Sequence, residues 1–186
     1  RAKYGLDEEP VLLEWIRSFN EDDILLDIGA NIGTYSIYAA KRGVKVFSCE
    51  VDLLNTSLLY ENAFINNCEE KIVIMPFALF NSTGIQKLVL KDVSPGDALH
   101  GIGEPSYLLN DRSRIREINV PTFQADDFFE KLKIWPTKIK LDVDSNELDV
   151  LNGAKSLLNR IDEIYVELDP EYQPHQEAIQ LLESMN

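Results

Sequence analysis

The chain has 186 residues, of which 45% are hydrophobic, so we expect residues 1–186 to form a single domain with its own core. Its formal net charge of -14 predicts that nucleic acid is not a partner, because phosphate binding requires clustered lysine and arginine side chains. No apolar run approaches the roughly 20 residues that span a bilayer, so a membrane partner is not expected either.

The first half of the chain alternates between helical and strand patterns. The spacing of apolar residues predicts helices over 9–19, 34–42 and 53–66. Short apolar runs predict buried strands over 24–28, 44–49 and 72–75. This alternation is typical of a parallel sheet with helices on both faces.

The second half is less regular before the alternation resumes. Extended segments are predicted at 86–91 and 117–123, and a stretch at 94–113 rich in Gly, Pro, Ser and Asp predicts a long loop. The remaining predictions are helices over 126–132, 147–158 and 175–185, and strands over 138–143 and 161–168. The predicted parallel sheet thus has five principal strands.

The cysteines bear on the cellular compartment. Cys49 and Cys68 are the only two, and neither belongs to a CxxC pair, so a zinc site is not expected. Free thiols are typical of a reducing compartment, and no secretory leader is visible, although the chain begins at Arg1 rather than at a methionine. We therefore expect a cytoplasmic protein.

The turn after the first strand is the strongest local signal for a ligand. Gly29 lets the backbone turn tightly beside a ligand, and Gly33 allows close packing of the following helix. Glu50 ends the second strand, where a carboxylate can accept both hydroxyls of a ribose. The pattern predicts a site for a nucleoside cofactor.

Two residues distinguish between the possible cofactors. Asn31 stands where a dinucleotide fingerprint needs a glycine that lets the backbone approach a pyrophosphate. Asp27 would repel a pyrophosphate but favour the ammonium and sulfonium groups of S-adenosylmethionine. The alternative is a structural Asp27 that caps the turn, with glycines that serve only its geometry.

Several ordered motifs resemble the FkbM family of S-adenosylmethionine-dependent methyltransferases. Residues 27–33 are similar to its D-[VI]-G-A-N-[IV]-G signature, and residues 140–147 to its K-[IL]-D-[VI]-E-G-x-E motif. Glu50 with Asn55 resembles E-P-x-x-x-N, and Ala78 begins a segment similar to A-L-x-x-x-x-G. The resemblance implies O-methylation of a small molecule or sugar. It implies a cofactor site made by Asp27, Gly29, Asn31, Gly33, Glu50, Asn55 and Ala78.

The departures from the family pattern are informative. The family's Glu-Gly is Asp144-Ser145 here, which shortens one carboxylate and adds a side chain where the backbone passes close to a ligand. We expect a Rossmann-like, doubly wound, mostly parallel α/β sheet that lacks the last two strands of the class I methyltransferase fold, through truncation or a reduced fold.

Candidate catalytic residues follow the fourth strand of the predicted sheet. Asp142 and Asp144 would face the methyl donor, since alternation puts them on one side if the strand continues that far. His100, in the long loop, could act as a general base or simply face solvent. Two nearby carboxylates could instead bind a divalent cation, although no complete ligand set is evident, so no metal is expected.

A buried lysine and two competing functions complete the predictions. Lys140 lies in an apolar strand and is expected to form an ion pair with Glu167. The first alternative function is a nucleotide- or NAD-binding oxidoreductase on a related fold. The second is a non-catalytic methyltransferase-like domain that binds a partner.

Overall fold

The computed structural model describes residues 9–90, 96, 100–103 and 116–185. Five strands of this part form a wholly parallel sheet in the order β3-β2-β1-β8-β9. They are β1 (Ile24–Ile28), β2 (Lys45–Cys49), β3 (Ile72–Met75), β8 (Lys138–Leu141) and β9 (Glu163–Val166). The Rossmann-like α/β prediction is thereby confirmed.

The helices flank this sheet and connect its strands. In the described residues they are α1 (Pro10–Arg17), α2 (Thr34–Lys41), α3 (Leu53–Ile65), α4 (Ala125–Leu132), α5 (Glu147–Asn152), α6 (Lys155–Leu158) and α7 (Gln173–Glu183), with a 3-10 turn at Glu69–Lys71. The helix predicted over 147–158 is divided at Gly153. A side-chain β-carbon there would lie 2.0 Å from the Phe80 carbonyl oxygen, so only glycine allows the two segments to approach this closely.

A second, smaller sheet of four strands is separate from the first. It contains β4 (Ala78–Leu79), β5 (Gly84–Leu90), β6 (His100–Ile102) and β7 (Arg116–Phe123), in the order β4-β7-β5-β6. Strand β6 pairs antiparallel with β5, so the prediction of an uninterrupted loop over 94–113 is wrong at 100–102. Most of the rest of that predicted loop lies outside the described residues.

Both faces of the parallel sheet are buried. Leu25 and Leu26 of β1 point to opposite faces, and both have 0% exposure. Leu26 packs in a cluster with Phe47 and Phe129, whereas Leu25 packs with Leu59 in a separate cluster. A sheet that is apolar on both faces explains why its strands appear in the sequence as continuous hydrophobic runs. No helix of the described residues is long and apolar enough to cross a membrane.

Candidate active site

A cleft opens at the carboxyl ends of β1, β2 and β8, where open α/β sheets bind ligands. Its empty volume is about 760 Å³, part of which is open to solvent. Seven of the ten predicted site residues line it: Gly29, Asn31, Glu50, Asn55, Ala78, Asp142 and Asp144. Asp27 and Gly33 do not, and the side chain of His100 lies outside the described part of the structure.

Gly29 places the first turn directly against the end of β8. Its φ is +79°, and a β-carbon at this position would lie 1.8 Å from the Asp142 carbonyl oxygen. The turn is tied to β2 as well, because the Gly29 amide donates to the Cys49 carbonyl at 2.9 Å. Only glycine satisfies both the backbone angle and the close approach. Gly33 instead precedes α2, and a β-carbon there would lie 2.8 Å from the Leu59 side chain on α3, so the glycine permits close packing against that helix.

Glu50 is oriented into the cleft by two backbone donors. The Asn31 amide donates to one carboxylate oxygen at 2.8 Å, and the Asp52 amide donates to the other at 2.7 Å. Burial raises the pKa of Glu50 to about 7; the two amides oppose this shift, whereas the charges of Asp52 and Asp27 add to it. The carboxylate is therefore preorganised and able to titrate near neutral pH.

Asp27 lies beneath the turn rather than in the cleft. It is fully buried, and the Ser36 hydroxyl donates to its Oδ2 at 2.6 Å. Its Oδ1 has no hydrogen-bond partner among the described residues, but it lies 3.6 Å from the Lys140 amine. In this conformation Asp27 can act on the cleft through its charge and through Lys140.

Lys140 links Asp27 to Asp142. Its amine lies 3.0 Å from Asp142 Oδ2, and Glu167 is not within ion-pair distance, so the predicted Lys140–Glu167 pair is wrong. Burial by itself would lower the pKa of Lys140, but the two carboxylates outweigh it and raise the pKa above its usual value. The lysine is thus a charged bridge under the cleft floor.

The segment after β8 is a strained turn. Strand β8 ends at Leu141, so the predicted strand over 138–143 is too long and side-chain alternation does not reach Asp142 and Asp144. Both line the cleft nevertheless, because the chain turns there. Asp144 has a φ of 53° and Ser145 a φ of 101°, a region that side chains other than glycine rarely occupy.

Two residues that the sequence interpretation missed hold this turn. Glu147, which is 2% exposed, accepts hydrogen bonds from the Val143 and Ser145 amides at 3.1 Å each. Its Oε2 also lies 2.8 Å from His175 Nε2 on α7. Glu147 could have been suspected as the last residue of the 140–147 motif, but His175 has no local signal in the sequence.

Two asparagines fix the polypeptide that borders the other side of the cleft. Asn55 Oδ1 accepts from the Gly96 amide at 2.6 Å. Asn146 accepts from the Ile102 amide at 2.7 Å and donates to its carbonyl at 3.3 Å. The side chains thereby hold segments of the predicted loop over 94–113 beside the cleft. No group of three or more metal-binding side chains occurs among the described residues.

The parallel sheet with its flanking helices is a Rossmann-like α/β fold, which solved methyltransferases share. The chain belongs to the FkbM methyltransferase family, since the Methyltransferase FkbM domain matches residues 27–186. A solved FkbM methyltransferase from Methylobacillus flagellatus KT is similar in structure, with a TM-score of 0.60, 18% identity and coverage of 99% of this chain and 43% of that one. This membership sets aside the oxidoreductase alternative.

The curated relatives act on different substrates. The hexuronic acid methyltransferase AglP of Haloferax volcanii is 25% identical over 87% of this chain and 62% of its own length. A tRNA (guanine(37)-N(1))-methyltransferase of Arabidopsis thaliana is 22% identical over 84% of this chain and 28% of its own length. The chain thus spans less than two thirds of either relative.

The prediction that nucleic acid is excluded as a partner is wrong. It rested on the net charge of -14, but the relatives include tRNA methyltransferases and a 23S rRNA (uracil(747)-C(5))-methyltransferase of Pyrococcus abyssi. Net charge averages over the whole surface, whereas a substrate contacts one patch of it. Net charge by itself therefore does not exclude a nucleic-acid substrate.

Proposed function

We propose that this chain is an S-adenosylmethionine-dependent methyltransferase that methylates an oxygen of a small molecule or sugar. The observation that carries the proposal is the Glu50 carboxylate, fixed at the end of β2 by two backbone amides and facing the cleft beside Gly29. A carboxylate in this position accepts both hydroxyls of a ribose. The family membership of the chain supports the same cofactor.

The residues of the cleft fit the chemistry of this cofactor. Glu50 would hold the ribose, and Gly29 and Asn31 line the part of the cleft where the amino-acid portion would lie. Phe77, Ala78 and Leu79 offer an apolar wall for an adenine ring. S-adenosylmethionine, when bound, supplies a methyl group on an already activated sulfonium sulfur.

The protein has to align the acceptor and accept its proton. Asp142 is among the residues that line the cleft, and its side chain is 35% exposed and held on one oxygen by Lys140, so it would orient an acceptor hydroxyl or take a proton from it. The second sheet borders the cleft through Gly101 and Ile102 and restricts the access of water. Alignment of the acceptor in such a site supplies most of the rate enhancement that a group transfer needs.

Calorimetric titration tests the cofactor assignment. S-adenosylhomocysteine and S-adenosylmethionine should bind, and NAD should not. Glu50→Gln should weaken binding by about 1–3 kcal/mol, the usual range for a hydrogen bond to a charged group, whereas Glu61→Gln on the exposed face of α3 should not. A folded wild-type chain that binds neither sulfur compound would overturn the proposal.

The acceptor class requires a second experiment. Transfer of labelled methyl from S-adenosylmethionine should be measured with hexuronic acids and other hydroxylated sugars, and in parallel with tRNA. Label on a sugar oxygen supports the proposed acceptor, whereas label on a tRNA base refutes it and identifies a nucleic-acid methyltransferase. Cofactor binding without transfer to any acceptor would favour the non-catalytic alternative.

A further inference from the structure

We propose that Glu147 and His175 are positioning residues that hold the turn at 143–145 in the shape needed for cofactor and acceptor to bind. This inference rests on the proposed function. Neither side chain lines the cleft, and both are buried, so they would act through the turn rather than on a ligand. The turn itself contributes Val143 and Asp144 to the cleft wall.

The direction of the hydrogen bonds in this network is fixed from both ends. The Asp169 amide donates to His175 Nδ1 at 2.8 Å, so that nitrogen acts as an acceptor. In neutral His175 the ring proton is then on Nε2, which donates to Glu147 Oε2 at 2.8 Å. Glu147 in turn receives the Val143 and Ser145 amides. Every donor in the network meets an acceptor. If neutral His175 carried its proton on Nδ1 instead, that N–H would face the N–H of Asp169.

The turn would not keep its shape without this network. Asp144 and Ser145 have positive φ values of 53° and 101°, a conformation that costs about 1–3 kcal/mol for each residue and persists only where the surroundings impose it. The Ser145 amide bond to Glu147 lies within this strained pair. The side chain of the adjacent Asn146 forms two hydrogen bonds with the backbone of Ile102 in β6. Consecutive side chains thus connect the turn to α7 and to β6.

The contacts of His175 place it in a packed and specific environment. Besides Glu147 and the Asp169 amide, it meets the Tyr172 ring edge-on, with centroids 4.8 Å apart. Helix α5, which begins at Glu147, packs against α7. A rotation of the imidazole would break both of its hydrogen bonds, so the ring keeps one orientation. The position of Glu147, and through it the shape of the turn, therefore depends on where α7 places His175.

The test compares three variants by two measurements on the folded chain. His175→Ala removes the network, Glu147→Gln preserves size but presents an amide donor to other donors, and His175→Gln retains a donor toward Glu147. Gln180→Ala, at an exposed position of α7, is the matched control. The first measurement is calorimetric affinity for S-adenosylhomocysteine, and the second is hydrogen exchange at the Val143 and Ser145 amides.

The inference gives distinct expectations for these measurements. His175→Ala and Glu147→Gln should each weaken S-adenosylhomocysteine binding by about tenfold and accelerate exchange at both amides, whereas His175→Gln should recover most of the affinity. A role in overall stability alone would lower the unfolding temperature but leave both readings unchanged in the folded chain. That result would overturn the inference.

The outcome also separates this inference from the proposed function. If the wild-type chain does not bind S-adenosylhomocysteine, the proposed function fails, and amide exchange still decides whether the pair holds the turn. If the wild-type chain binds and all three variants bind equally well with unchanged exchange, the inference fails while the proposed function stands.

Discussion

Ser145 occupies a backbone conformation suited to glycine, and replacing it should stabilise the protein. Its φ of 101° lies beyond the ordinary left-handed helical region. At this angle the β-carbon of Ser145 comes close to the neighbouring backbone. Hydrogen bonds from the Ser145 amide to Glu147 keep this conformation from relaxing. The family pattern has glycine at this position, so the strain is a property of this chain.

The size of the effect follows from two opposing terms. Removal of the strain should gain about 1–3 kcal/mol, and the greater freedom of glycine in the unfolded chain should cost about 0.4–1 kcal/mol. Ser145→Gly should therefore raise the free energy of unfolding by about 0.5–2 kcal/mol. For a chain of this length, each kcal/mol corresponds to an increase in Tm of about 2–4 °C.

Urea denaturation of three proteins tests this reasoning. Ser145→Ala is the matched control, because it keeps the β-carbon and removes a hydroxyl that makes no hydrogen bond to the described residues. It should lie within about 0.5 kcal/mol of the wild type, as is usual for a substitution without a lost contact. If the glycine variant is no more stable than the alanine variant, the backbone is not strained and the argument is refuted.

Three further predictions concern the cleft and its floor. The pKa of Glu50 is raised to about 7, and ribose hydroxyls donate best to the charged carboxylate, so the affinity for S-adenosylhomocysteine should increase as the pH rises from about 6 to 8. Calorimetry should show an affinity that does not change with pH for Glu50→Gln. The same flat profile in the wild type would contradict the assignment of Glu50 to the ribose. Lys140→Met should lower the free energy of unfolding, measured in urea, by about 3–5 kcal/mol, because it leaves Asp27 and Asp142 without their common cation. A loss below about 1 kcal/mol would show that these ion pairs do not stabilise the fold. Gly29→Ala should lower the free energy of unfolding by about 3 kcal/mol or more in the same measurement, because a β-carbon 1.8 Å from the Asp142 carbonyl oxygen forces the ends of β1 and β8 apart. A variant as stable as the wild type would refute this close approach.

The parts of the site that lie close together in the sequence could be predicted from it. The turn at Gly29 directly follows β1, and Glu50 directly follows β2, so the order of elements alone brings both to the carboxyl edge of the sheet. The motif then identifies the residues. The structure confirms the five-stranded parallel sheet because buried strands and connecting helices have strong periodic signals.

The partner of Lys140 could not be chosen without the strand register. Pairing of β1 with β8 sets Asp27 directly beside Lys140, whereas pairing of β8 with β9 sets Tyr165 there. Glu167 follows the end of β9, two residues beyond that position. A shift of register by two would have favoured the predicted pair, and neither composition nor periodicity fixes such a shift.

The same limit explains why the turn at 143–145 was misjudged. Alternation along a longer strand was expected to place Asp142 and Asp144 together, but the strand stops at Leu141. The turn takes its shape from Glu147, whose partner His175 lies 28 residues away. Contacts at this separation depend on how α5 meets α7, which a single sequence does not encode in any local pattern.

The charges beneath the cleft make a buried lysine compatible with the sulfonium cofactor that we propose. Lys140 lies between Asp27 and Asp142, so the formal charges of the three side chains sum to -1. A lysine alone would repel a sulfonium, and two carboxylates without it would repel each other at close range. Because Asp27 is fully buried and Asp142 is at the surface of the cleft, the excess negative charge is presented on the side where a ligand enters. In the function that we propose, the Lys140 ammonium group would hold Asp142 in place, and the Asp142 carboxylate would attract the sulfonium.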